Sequence, residues 1–195
     1  MIKIECVTVG PIHTNCYLVE YDGRTIVIDP GAEPQKIIRK ITELKLTPAA
    51  VVNTHGHWDH IMADTAVKNH YKIPLFTPEA DRAIIEGQKD FYHIGELQVD
   101  HWYTDTLDID LPIKLIQTPG HTPGSTCLLL EDVLFSGDMM FAGGYLGRTD
   151  FPGGDEKAIQ KSLQKLLALP DNVKVLPGHD EASTIGQERL FYAKK

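Results

Sequence analysis

Four side chains able to bind a metal fall within six residues in His55-Gly56-His57-Trp58-Asp59-His60. This string constrains the fold because of what flanks it. A short apolar run, residues 49–53, leads into it, and an apolar-periodic stretch follows over 61–71. Alternate residues of an extended chain share a face, so His55 and His57 can converge from a strand end. Asp59 and His60 lie on the turn into the helix and face a neighbouring position. One short segment can therefore serve two metals. Imidazole and carboxylate suit zinc, and they also accept iron or manganese. The bland alternative is a solvated loop rich in histidine, but this density exceeds ordinary surface usage.

Three more residues of ligand type follow strand-like runs. His121 lies in Thr118-Pro119-Gly120-His121-Thr122-Pro123-Gly124-Ser125, Asp138 in Phe135-Ser136-Gly137-Asp138, and His179 in Leu176-Pro177-Gly178-His179. Each taken alone reads equally well as a loop histidine or a turn aspartate. Together they repeat one arrangement: a strand, a tight turn, then a ligand. Ligands held on strand ends make a rigid site.

Strand and helix signals fall in two blocks. Residues 2–9 and 16–21 read as strands, Asp22-Gly23 as a hairpin turn, and 25–28 as the returning strand. Residues 34–44 place Ile37, Ile38, Ile41 and Leu44 at helical spacing. Helices are expected again over 61–71 and 78–87, and 88–110 reads as a long loop or a strand pair. In the second block, strands are expected over 113–117, 125–130, 133–135 and 173–176. Residues 140–155 read as a Gly-rich loop, 156–169 as an amphipathic helix and 184–192 as a last short helix. Two strand blocks, each followed by helices, predict two packed sheets with helices outside.

The length of 195 residues suits one domain, 1–195, with a sizeable core. The net charge of −8 argues against a nucleic-acid partner, which needs clustered Lys and Arg. No run approaches the ~18 apolar residues of a membrane span, and the N-terminus does not read as a signal peptide, so no membrane contact and a cytoplasmic location are expected. Cys6, Cys16 and Cys127 are odd in number and widely spaced. Each is expected to be a small buried hydrophobe rather than a disulfide or zinc ligand.

In this order, these residues resemble the motif set of the metallo-β-lactamase superfamily, from Asp29 to His179. The resemblance implies an α+β fold: a four-layer αβ/βα sandwich of two packed sheets with outer helices and the metals at one edge. It assigns His55, His57 and His121 to one metal and Asp59, His60 and His179 to the second. Asp138 would bridge them, and Asp29 would orient a ligand. Within the superfamily the chain most resembles small glyoxalase II-like, or hydroxyacylglutathione hydrolase-like, enzymes. That likeness rests on Gly10-Pro11 with Asn15, on Pro119-Gly120-His121-Thr122-Pro123-Gly124, and on Gly147-Arg148-Thr149-Asp150-Phe151-Pro152-Gly153-Gly154-Asp155. One large class of true lactamases carries Cys where Asp138 stands, which weakens a lactamase reading. The chain is expected to lack the C-terminal helical domain that supplies glutathione contacts in longer glyoxalase II enzymes.

The resemblance thus implies a metal-dependent hydrolase of a small-molecule thioester, such as S-D-lactoylglutathione. Its cofactors would be two divalent ions, zinc foremost, with iron or manganese as alternatives. A hydroxide bridging the ions would attack the carbonyl. Asp59, as the catalytic residue, would ligate one ion and orient the hydroxide or accept its proton. A thiolate, with a conjugate-acid pKa of about 8.5, departs without full protonation. The alternative is a persulfide dioxygenase with one iron on His55, His121 and Asp138. Arg148 is expected to pair with Asp150 or Asp155 rather than with a substrate carboxylate. Tyr145, His13, His93 and His101 are candidates to line a pocket, with ordinary surface placement favoured for the histidines. His70 suits a helix C-terminus.

Overall fold

Asp22 takes a φ of 49° and Gly23 one of 78°, the left-handed pair of a two-residue hairpin turn. That turn joins strand β2 (Thr14–Tyr21) to β3 (Arg24–Ile28), and β1 (Lys3–Val9) pairs antiparallel with the other edge of β2. The computed structural model describes residues 2–92, 94–95 and 97–193. Beyond β3 the first sheet turns parallel, through β4 (Pro48–Val52), β5 (Leu75–Pro78) and β6 (His101–Tyr103). Parallel neighbours need crossovers, and helices supply them. These are α1 (Pro34–Glu43), the single turn α2 (Trp58–Ile61) with α3 (Asp64–Tyr71), and α4 (Arg82–Tyr92).

The second sheet contains β7 (Lys114–Gln117), β8 (Thr126–Leu130) and β9 (Val133–Gly137). It is completed after a short ribbon of β10 (Met140–Phe141) with β11 (Tyr145–Leu146) and after helix α5 (Glu156–Leu167). β12 (Lys174–Pro177) then pairs parallel with β9, and β13 (Ser183–Thr184) closes the far edge before α6 (Ile185–Tyr192). The spatial order is β13-β12-β9-β8-β7.

Alternation along the strands sorts the apolar side chains into layers. Val19, Ile26, Ile28, Val52 and Phe76 of the first sheet meet Leu128, Leu130, Phe135 and Leu176 of the second in one buried cluster. Their neighbours Leu18, Val27 and Val51 point the opposite way and meet Ile37, Ile41 and Val67 from α1 and α3. On the far side, Leu134 and Val175 meet Ile159, Leu163 and Leu166 of α5 and Ile185 of α6. The result is helix, sheet, sheet, helix, the expected α+β sandwich. Strands covered on both faces read as continuous apolar runs, as 26–28 and 50–52 do. Fully burying one such side chain contributes about 1.5–3 kcal/mol.

Four local expectations change. The helix expected over 61–71 is two helices, because after α2 the Ala63 N–H donates to the Pro30 carbonyl at 2.9 Å and the chain turns there. The strand β5 was not expected at all, since Pro74 and Pro78 frame it and only a few residues are extended. The helix expected over 78–87 opens with a 3-10 turn at Glu79–Asp81 and runs on to Tyr92, while β6 lies in the stretch read as loop or strand pair. Cys6 is exposed on the edge strand β1, whereas Cys16 and Cys127 are buried as expected. Among the described residues no helix is long and apolar enough to cross a membrane.

Candidate metal centre

β4 ends at Val52, and the chain bends at Thr54 and His55 and is extended again at His57 before α2 begins. His55 and His57 lie on this connecting piece, and Asp59 and His60 on α2. His121 follows β7, Asp138 follows β9, and His179 follows β12, so the second sheet brings three more side chains to the same edge. The structure gathers the seven sequence candidates into two adjoining groups. His55, His57 and His121 form one, and Asp59, His60 and His179 the other, with the ligand atoms in each lying within 4.8 Å of one another. Asp138 reaches both groups: its carboxylate lies 3.6 Å from His121 Nε2, 3.3 Å from His60 Nε2 and 3.5 Å from His179 Nε2.

Hydrogen bonds fix which nitrogen each imidazole presents. Asp29 accepts from the Thr54 N–H and hydroxyl, each at 2.7 Å, and from His60 Nδ1 at 3.0 Å. Since the Thr54 hydroxyl proton goes to Asp29, its oxygen accepts from His55 Nδ1 at 3.1 Å. His121 Nδ1 donates to the Arg148 carbonyl at 2.7 Å, and His179 Nδ1 donates to the Ile12 carbonyl at 3.1 Å. Nε2 is therefore the presented atom on these four rings, each anchored behind through Nδ1 as ligating histidines almost always are through their other nitrogen. His57 alone turns Nδ1 inward, 2.8 Å from His121 Nε2.

The residues fit a cation. His55 Nε2 is buried and has no hydrogen-bond partner among the described residues. An orphaned buried acceptor is costly, and this one faces the nitrogens of His57 and His121. Electrostatics divide the site. Burial, and then His60, push His55 well below its ordinary pKa; burial and His121 bring His57 down to about 4. Burial also opposes charge on His60, but Asp59, Asp138 and Asp29 outweigh it and raise its pKa well above 6.5. Burial is likewise outweighed at His179, where Asp138 and Asp59 raise the pKa to about 10. Asp59 and Asp138 are held far below the usual carboxylate range, chiefly by His60, against the penalty of burial. The carboxylates of Asp59 and Asp138 thus favour positive charge at His60 and His179, and a metal would compete with protons there.

The sequence matches the metallo-beta-lactamase superfamily over residues 9–179. The chain belongs to that superfamily. It is 34% identical to hydroxyacylglutathione hydrolase GloC of Haemophilus influenzae over 203 residues, covering 96% of this chain and 95% of that protein. The crystal structure of BLEG-1 B3 metallo-beta-lactamase superposes with a TM-score of 0.87 at 35% identity, covering 96% of each chain. That of TTHA1623 in a di-iron-bound form superposes with a TM-score of 0.86 at 31% identity, covering 95% of this chain and 96% of the other.

Beside the gathered side chains opens a cavity of about 330 Å³, lined by His121, Asp138, His179, Phe141, Tyr145, Leu146, Arg148 and Phe151 among others. From the string 147–155, Gly147, Arg148 and Phe151 line it. A Cβ on Gly147 would sit 1.9 Å from the Asp138 carbonyl oxygen and 3.0 Å from the His121 ring, so only glycine fits. Arg148 gives its carbonyl to His121 and its guanidinium to Asp150, at 2.9 and 2.6 Å. The same guanidinium lies 4.3 Å over the Phe151 ring, whose edge meets His57. Asp155 caps α5, accepting from Lys157 and Ala158, and does not meet Arg148. Tyr145 is exposed at the mouth.

The remaining histidines lie elsewhere. His13 and His101 are exposed, and His101 lines a separate cleft with Lys68 and Lys72. His70 sits in the last turn of α3. His93 lies outside the described residues. Sequence reasoning missed Asp81 and Gln88, which lie under the histidine string. Gln88 accepts from the Trp58 N–H at 3.1 Å and donates to the Gly56 carbonyl. A helical acid and amide give no local hint of such contacts.

Proposed function

We propose that this protein is a metal-dependent hydrolase of small thioesters, of the glyoxalase II type, holding two divalent ions. His55, His57 and His121 would hold one, and Asp59, His60 and His179 the other. The observation that carries the two-ion reading is Asp138, whose carboxylate lies within 3.6 Å of side chains from both groups. Likeness to a hydroxyacylglutathione hydrolase supports the thioester. Zinc is the first choice, with iron and manganese accepted by the same donors.

Ions held there supply Lewis acidity toward a carbonyl oxygen and make hydroxide available at neutral pH. The protein's own residues do the rest. Asp59 lies 3.2 Å from both His60 Nε2 and His179 Nε2, so its carboxylate would share the ion held there and could orient an attacking water or accept its proton. Thr14 donates to Asp59 Oδ2 at 3.4 Å and limits its swing. The aromatic wall of Phe141, Tyr145 and Phe151 gives the substrate an apolar surface beside the ligands. A thioester suits this site because its thiolate leaves without a dedicated acid.

The test is the initial rate of S-D-lactoylglutathione hydrolysis by metal-replete protein, with His57→Ala as control. A kcat/KM of about 10⁴ M⁻¹s⁻¹ or above, lost in the control, falls in the ordinary enzyme range and supports the reading. A negligible rate rejects it. The competing oxidative reading, one iron on His55, His121 and Asp138, then predicts one ion per chain and oxygen uptake with glutathione persulfide. Against it stands the second, complete group of Asp59, His60 and His179.

A further inference from the structure

Asp81 is fully buried in the 3-10 turn before α4, and its carboxylate is spent on two separate loops. Oδ2 accepts from the Gly56 N–H and from the Thr122 hydroxyl, each at 2.8 Å. Oδ1 accepts from the Gly124 N–H at 2.6 Å. Gly56 stands between His55 and His57, and Thr122 follows His121. One carboxylate therefore ties together the backbone carrying all three members of one ligand group. None of its hydrogen bonds reaches Asp59, His60, Asp138 or His179. Space is tight as well: a Cβ on Gly56 would come 2.9 Å from Asp81 Cβ, and one on Gly124 would come 2.6 Å from Asp81 Cγ.

We propose that Asp81 is a positioning residue for one metal position only, setting the mutual geometry of His55, His57 and His121 and thereby the affinity of the ion they hold. The inference rests on the two-ion reading above and is independent of the substrate. Three donors from two loops make the carboxylate an organiser of the site. Burial alone favours its neutral form, and the Thr122, Gly124 and Gly56 donors oppose that. Groups hydrogen-bonded behind metal ligands matter for affinity, and losing one typically costs about 10–100-fold. In the other group, His60 is held by Asp29 and His179 by the Ile12 carbonyl rather than by Asp81.

Asp81→Asn keeps the size but turns an N–H₂ toward one of the two donor sets. The measurement is a zinc competition titration against a chromophoric chelator, resolving the two ions on the full chain. The expected result is a loss of about 10–100-fold for one ion, with the other unchanged. Combination with His57→Ala should add nothing further, whereas combination with His179→Ala should weaken both ions additively, since only contacting groups couple. Thr122→Val removes a single donor and should reproduce the selective loss on a smaller scale; it carries the test if Asp81→Asn does not fold. Equal weakening of both ions, or no change in either variant, overturns the proposal. A wild-type chain that takes up only one ion overturns the two-ion reading instead.

Discussion

His60 donates from Nδ1 to Asp29 Oδ2 at 3.0 Å, while its Nε2 stands 3.2 Å from Asp59 and 3.3 Å from Asp138. One imidazole is thus steered from behind and ringed in front by carboxylates. Asp29 can do this because it sits at a φ of 49°, a left-handed conformation that Asp and Asn tolerate better than most residues. Asp29→Asn keeps the backbone but sets an amide against the donors of Thr54 and His60. Zinc affinity should fall about 10–100-fold, read by competition titration. Wild-type affinity in the variant would show that Asp29 does not steer the ligands.

Asp138→Ala should remove metal and hydrolysis together, because its carboxylate stands between both groups of side chains. Metal analysis after gel filtration, alongside initial rates, checks this. A variant that kept two ions and the full rate would exclude a bridging role.

Gly147→Ala places a methyl group against the Asp138 carbonyl oxygen and the His121 ring. Backbone cannot yield as a flexible side chain does, so the loop must move and carry the Arg148 carbonyl away from His121. Reduced metal content is expected in a folded protein, followed by metal analysis with circular dichroism as the control for folding.

The pH dependence of chelator-stripped protein follows from the same site. His179 is raised from 6.5 to about 10, and His60 moves in the same direction. A raised folded pKa gives stability that is fully present below pH 6.5 and lost as pH rises toward 10. Asp59 and Asp138 are depressed, so their contribution is present above about pH 3.8 and lost as pH falls. The thermal midpoint should therefore decline between about pH 6.5 and 10, as read by differential scanning fluorimetry. Added zinc should restore most at the alkaline end, where it no longer competes with protons. A midpoint that climbs across this interval would contradict the assignment.

Between the sheets, Leu128 is wholly buried against residues of both. Leu128→Ala should cost about 2–5 kcal/mol, from lost burial plus the cavity left behind, measured by urea denaturation.

What the sequence made legible was what is local. The string from His55 to His60 declares itself within six residues, and His121, Asp138 and His179 each follow an apolar strand and a glycine turn. The apolar runs at 25–28 and 49–53 likewise announced strands, though that both their faces are covered shows only in the packing. Asp81 was illegible because its partners, Gly56 and Gly124, lie 25 and 43 residues away. In sequence it is one more acid before a helix. The hold of Arg148 on His121 passes through a carbonyl, which every residue has. β5 was missed because only four residues are extended, the strand following Pro74 and ending on Pro78. The break between α2 and α3 came from a tertiary hydrogen bond, Ala63 to Pro30.

The two sheets contribute unequally in time as well as in space. The string at 55–60 leaves a ribosome well before His121 and Asp138, and His179 comes last. A growing chain would therefore offer two members of each group early but could not close either group until the second sheet is made and docked. On the proposed two-ion reading, ion capture would then be a late event that fastens the second sheet to the first like a buckle. Stripping the ions should loosen the seam between the sheets before it disturbs either sheet, so amide exchange would quicken first near β4 and β9 rather than in the outer helices.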